Sequence, residues 1–206
     1  MNRVSKPGRT LIQLVAFVAL LAGQVSRSTA ADPLDVWHKR KTPADGLKHL
    51  QSLIYAGGQF VASGHSAFMV SPDGVNWQKH DAPETGPFIA TAFGNGTLVS
   101  VGLSKTILTS PDGMTWTLRA KDADFFAHRY NDVIFVNGQF ITVGGEIIKT
   151  SPDGITWTTR YEEEDFLPGG IAHGNGLYVM AGTKNHGEVR TSPDVIAWTA
   201  HDYHAD

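Results

Sequence analysis

The chain has 206 residues, no cysteine, 22 glycines, 10 prolines and a formal net charge of −3. That length suits one domain or two small ones. The missing cysteine excludes disulfides, thiol nucleophiles and cysteine-held zinc or iron–sulfur centres, and the acidic balance argues against a nucleic-acid binder.

Residues 1–10 carry Arg3, Lys6 and Arg9 and no acid, and residues 11–23 (LIQLVAFVALLAG) are an apolar run. Ser28 and Ala30 stand as small residues at −3 and −1 of a cleavage site. This order predicts a signal peptide over 1–30 with the cut after Ala30, and an exported chain, periplasmic or secreted. A run of this length rises only ~20 Å as a helix, short of the ~30 Å hydrocarbon core, so an anchor is the poorer reading. The leader holds four of the basic residues and no acid, which leaves thirteen basic against twenty acidic side chains, a net −7. An acidic exported domain is expected to stay off anionic membranes and nucleic acid.

From residue 31 to 206 one unit recurs. The tryptophans are Trp37, Trp77, Trp116, Trp157 and Trp198, spaced 40, 39, 41 and 41 residues apart. The last four each end a block: SPDGVNW from Ser71, SPDGMTW from Ser110, SPDGITW from Ser151 and SPDVIAW from Ser192. In chain order each repeat predicts four strands. An apolar strand comes first (50–55, 88–93, 131–135, 169–173), then a tight turn such as Asn95-Gly96 or Asn137-Gly138, which tolerates positive φ. A β-branched second strand ends on glycine (Gly64, Gly102, Gly144, Gly182). A third strand leads into SPDG, which suits a type I turn with serine and aspartate oxygens bonding N–H groups inside it. A fourth strand carries the tryptophan.

Four antiparallel strands per ~40 residues predict an all-β propeller with four blades, near 47–78, 88–118, 130–159 and 169–199. A lone blade cannot bury both faces, so the tryptophans are expected to fill the space between blades. An extra outer strand at 35–40, with Trp37, has no blade of its own. Three arrangements fit it: a truncated longer propeller, four blades closing alone with this strand as a cover, or copies that associate through their end blades. The strand count favours an open or incomplete ring. In the fourth turn Val195 replaces glycine, so that turn is expected to widen or change type, and Trp37 and Trp198, at the two ends, are expected to be the least covered.

The S-P-D-G-x-x-W blocks resemble the Asp boxes of sialidase-like, BNR-type propellers. They resemble more closely secreted bacterial propellers with repeated GNGxFVAVG…ILTSPDGxxW units, over residues 37–198. The resemblance implies the fold and makes the boxes structural turns remote from any active site. Ser71, Asp73, Gly74, Ser110, Asp112, Gly113, Ser151, Asp153, Gly154, Ser192 and Asp194 are then turn builders, and the five tryptophans inter-blade core.

The turns after the first and third strands share one face, and the more varied connections share the other. Variable loops on a rigid scaffold carry binding. The candidate binding residues are His80, Asp81, Asp122, Asp124, Phe125, Phe126, His128, Glu162, Glu163, Glu164 and Asp165. The function expected is a non-catalytic exported scaffold that binds a protein or glycan, with no cofactor and no metal. The alternative is a sialidase-like glycoside hydrolase, which needs two carboxylates ~5–9 Å apart in a cleft. Asp122 or Asp124 with Glu162 to Asp165 are the candidates. The arginines after the leader are few, and the sialidase Phe-Arg-Ile-Pro motif is absent. The tail His201 to Asp206 holds two histidines and is expected to fray.

Overall fold

The computed structural model describes residues 49–123, 128–184 and 186–201. The expected leader and its cleavage site, the outer strand with Trp37, and Asp124, Phe125 and Phe126 lie outside the described residues.

Among the described residues sixteen strands form four four-stranded antiparallel sheets in sequence order, as in an open or incomplete propeller. Blade I holds β1 (Leu50–Ala56), β2 (Gln59–Gly64), β3 (Ala67–Ser71) and β4 (Gln78–Asp81). Blade II holds β5 (Phe88–Gly94), β6 (Thr97–Gly102), β7 (Ile107–Ser110) and β8 (Thr117–Ala120). Blade III holds β9 (Asp132–Val136), β10 (Gln139–Gly144), β11 (Ile147–Ser151) and β12 (Thr158–Glu162). Blade IV holds β13 (Leu167–Gly174), β14 (Leu177–Thr183), β15 (Gly187–Ser192) and β16 (Thr199–His201). Among the described residues no helix is long and apolar enough to cross a membrane.

The first hairpins use the positive-φ pairs their sequences demand, for example Asn95 at 48° and Gly96 at 74°. The SPDG turns act as clamps. In blade II the Gly113 N–H donates to Ser110 Oγ (2.8 Å), and Met114 and Thr115 N–H donate to Asp112 Oδ1 (2.9 Å each). The Trp116 indole N–H then donates to the Gly113 carbonyl (2.8 Å). Blades I, III and IV repeat the pattern. Backbone N–H donors hold Asp73, Asp112, Asp153 and Asp194 below the usual carboxylate range. Each tryptophan therefore closes the turn and stands one residue before the fourth strand, whereas the sequence placed it within that strand.

Among the described residues the core is three clusters, one at each junction of successive blades. Val61, Phe68 and Val70 of blade I meet Leu98, Leu108 and Trp116 of blade II. Val99, Val101 and Ile107 of blade II meet Phe140, Ile147 and Trp157 of blade III. Ile141, Val143 and Ile148 of blade III meet Tyr178, Met180, Val195 and Trp198 of blade IV. Trp116 stacks on Phe68 of the preceding blade, ring centroids 3.7 Å apart at 12°. No such cluster joins blades I and IV among the described residues.

Of the described tryptophans only Trp116 is buried; Trp77, Trp157 and Trp198 are half-buried. Trp116, Trp157 and Trp198 pack backwards onto the preceding blade, and Trp198 is half-buried against blade III, edge-on to Tyr161. Trp77 is the tryptophan that lacks a described blade in front of it. It is therefore not part of an inter-blade core cluster among the described residues.

The fourth turn also departs from expectation. It neither widens nor changes type: Val195 is held at φ 64°, against 70–76° for the glycines of the other three turns, with the same hydrogen bonds. Its side chain is buried in the blade III–IV cluster, and that packing offsets the strain of a left-handed conformation, about 1–2 kcal/mol. Val195→Ala loses packing and retains strain, whereas Val195→Gly loses little more packing and sheds the strain. Urea denaturation is expected to rank Val195→Gly above Val195→Ala by about 1 kcal/mol. The reverse order would mean that the turn stores no strain.

Candidate functional site

The connections opposite the SPDG turns converge on a concave funnel of about 880 Å³ at the inner strands of blades II to IV. Its wall holds Ile89 and Leu103 of blade II, His128, Arg129 and Asn131 on the link to blade III, and Leu167 and Thr183 of blade IV. Chain packing explains the glycines that close the second strands. A Cβ on Gly102 would lie 2.2 Å from the Pro87 carbonyl oxygen, and one on Gly144 2.4 Å from that of Arg129. Each incoming loop thus presses directly on the second strand's end. Asn131 fixes the wall by donating to the Pro168 carbonyl (2.6 Å), and Asp132 Oδ2 accepts from Ile171 N–H (3.0 Å). Asp132 thereby joins β9 to β13.

The expected binding residues divide by what they touch. His128 lies in the funnel wall. His80 lies on β4, cross-strand from Phe68, with its Nε2 buried and unpartnered among the described residues. Asp81 pairs with Lys79 (3.0 Å) and Asp122 with Lys105 (3.6 Å). Glu84 holds Lys121 (2.6 Å), linking two successive loops. Glu162, Glu164 and Asp165 are exposed. Of the tail, His201 ends β16 and bonds Thr191 Oγ1 (2.8 Å), and residues 202–206 lie outside the described residues.

Glu163 has a structural task. It accepts from Arg190, from Tyr161 Oη and from Lys184 Nζ (2.7 Å). Arg190 is nearly fully buried, bonds Glu188 as well, and lies 3.7 Å over the Phe166 ring. The bonds from Arg190, then Lys184 and Tyr161, hold Glu163 well below the usual carboxylate range. The cluster fastens the loop 163–166 to blade IV. Arg190 and Glu188 were missed in the sequence; the available signal was Arg190 at the third-strand position where blades I and II have the buried Met69 and Leu108.

These facts bear on chemistry. A general acid needs a raised pKa, whereas Glu163 is shifted the other way. Asp122 is tied to a lysine. No carboxylate is among the described residues lining the funnel. No group of three His, Asp or Glu side chains is placed to hold a metal among the described residues. Arg119 and Arg160 Nε donate to Thr109 and Thr150 hydroxyls (2.8 Å each), pinning fourth strands to third strands.

No family model matches the chain, and no curated protein matches it. Solved structures do. YCF48 bound to D1 peptide is similar at TM-score 0.60 and 17% identity, over 74% of this chain and 54% of that one. An ancestral GH74 enzyme is similar at TM-score 0.61 and 14% identity, over 74% of this chain and 25% of that one. The designed protein Ika4 is similar at TM-score 0.52 and 12% identity, over 70% of this chain and 94% of that one. These likenesses establish the β-propeller fold. The chain spans about half the length of the YCF48 chain and a quarter of the GH74 enzyme.

Because the folded-state pKa of Glu163 is depressed, its contribution to stability is present above its ordinary value of 4.5 and is lost as pH falls below it. Glu163→Gln is expected to destabilise the protein by about 1–3 kcal/mol at pH 7. The gap to wild type should shrink between pH 5 and pH 3 in urea titrations; a gap independent of pH would contradict this.

Proposed function

We propose that the chain is an exported, non-catalytic propeller that captures an extended segment of another protein in the loop-face funnel. The observation that carries this reading is the funnel's lining. Ile89, Leu103 and Leu167 offer apolar contact, while Arg129, His128 and Asn131 supply polar groups to orient a backbone or an acidic side chain. Arg129 has no ion-pair partner among the described residues. The YCF48 structure, a propeller that holds a peptide, supports the same mode of use. A hydrolase reading lacks support, because the described lining offers no carboxylate pair. The Asp-box resemblance and the leader support export, with the mature chain beginning at Ala31. The end blades are surfaces for self-association.

The test uses the chain recovered from the exporting cell, its N-terminus read by mass spectrometry. Random peptides displayed on phage are selected on it. Enriched peptides are expected to lose at least about tenfold in affinity, near 1.4 kcal/mol, against Arg129→Glu/Leu167→Asp. Ile155→Asp, on the exposed SPDG turn of the opposite face, should leave them unchanged. No enrichment, or binding indifferent to the funnel substitutions, would overturn the reading. An intact Met1 would overturn cleavage alone.

A further inference from the structure

We propose that two copies of this chain join head to tail, the free face of blade IV in each receiving the Trp77 turn of blade I in the other, so that a two-fold dimer closes one eight-bladed ring. This rests on the self-association reading and gives it a register.

The internal junctions are built alike. The second and third strands of one blade form a receiving face, and the turn glycine and tryptophan of the next blade insert onto it. A Cβ on Gly113 would lie 3.0 Å from Val61 and 3.4 Å from Val70; one on Gly154 would lie 2.6 Å from Val99 and 3.2 Å from Thr109. Amide side chains add bonds across the junction: Gln59 Nε2 donates to the Asp112 carbonyl (2.6 Å) and Asn95 Nδ2 to the Pro152 carbonyl (3.2 Å).

Blade IV carries the same receiving face without an occupant among the described residues. Val179 stands where Val61, Val99 and Ile141 stand in the other blades; those three are 0% exposed and Val179 is 37% exposed. Val189 stands where Phe68, Ile107 and Ile148 stand; those are at most 1% exposed and Val189 is 40% exposed. Blade I carries the inserting half. Among the described residues a Cβ on Gly74 would meet only its own blade's Phe60 within 4 Å, and Trp77 borders an open apolar groove with Leu53 and Met69. Among the described residues the four blades thus present one receiving face and one inserting turn of an interface made three times between them. Two copies satisfy both ends through a single two-fold axis, and eight blades lie within the range of closed propellers. Exposed apolar ends of this kind favour association.

The register is testable because the chain has no cysteine. Gly74→Cys and Val179→Cys make a unique pair, and Val195 at φ 64° shows that this turn position accepts a side chain. The full chain is expected to sediment as a dimer at micromolar concentration. The double variant should oxidise to a covalent dimer on a non-reducing gel. Val189→Lys should raise the dimer's dissociation constant at least about tenfold. A wild-type monomer overturns self-association and register together, as when residues 31–48 cover blade I. A disulfide formed within one chain means that four blades close on themselves. A dimer that does not cross-link, or that tolerates Val189→Lys, retains self-association and overturns the register. If the cysteine variant fails to fold, Val189→Lys alone decides.

Discussion

The structure depends on one contact repeated along the chain: an indole packed against the blade before it. A four-stranded sheet with two apolar faces has no stable existence alone in water, so each blade is only as secure as its junctions. The Phe68–Trp116 stack is the clearest instance. The clamp of Ser110 and Asp112 holds the indole locally, since the turn bonds and the indole N–H bond all lie within seven residues. Local turn chemistry therefore prepares the long-range contact, and local and global preferences agree.

That division separates the two faces of the molecule. Aspartates on the SPDG face accept from backbone N–H groups through Oδ1 and are held below the usual carboxylate range, which suits a turn and not a general acid. The opposite face is freed from this duty. Its links differ in length and charge, and its ion pairs, Lys121 with Glu84 and Arg190 with Glu163, tie neighbouring segments together while leaving the funnel open. A rigid array with one uniform face and one varied face is the ordinary arrangement for recognition.

Much of the fold was legible because its signals are local. The tryptophan period, the Asn-Gly hairpins and the SPDG turns each report on a few consecutive residues, and four copies reinforce one another. The direction in which Trp198 packs was not legible, since nothing within a repeat says which neighbour its tryptophan meets. Val195 misled for a related reason. Its dislike of positive φ is a property of one residue, while the burial that overrides it comes from Ile141 and Ile148 in another blade. The funnel was visible only as a set of loops: His128 was singled out, whereas Arg129, Asn131 and Leu167 converge with it only once blades II to IV stand side by side. Arg190 and Glu163 are 27 residues apart, and no spacing rule pairs them.

The central claim is that backward packing of the indole couples successive blades. A double-mutant cycle on Phe68 and Trp116 measures it most directly, with unfolding followed for wild type, Phe68→Leu, Trp116→Leu and the double variant. The account predicts that the double variant loses less than the sum of the two single losses, by a coupling energy of about 1 kcal/mol or more. Losses that add with no coupling would contradict it, because the two rings would then be buried independently.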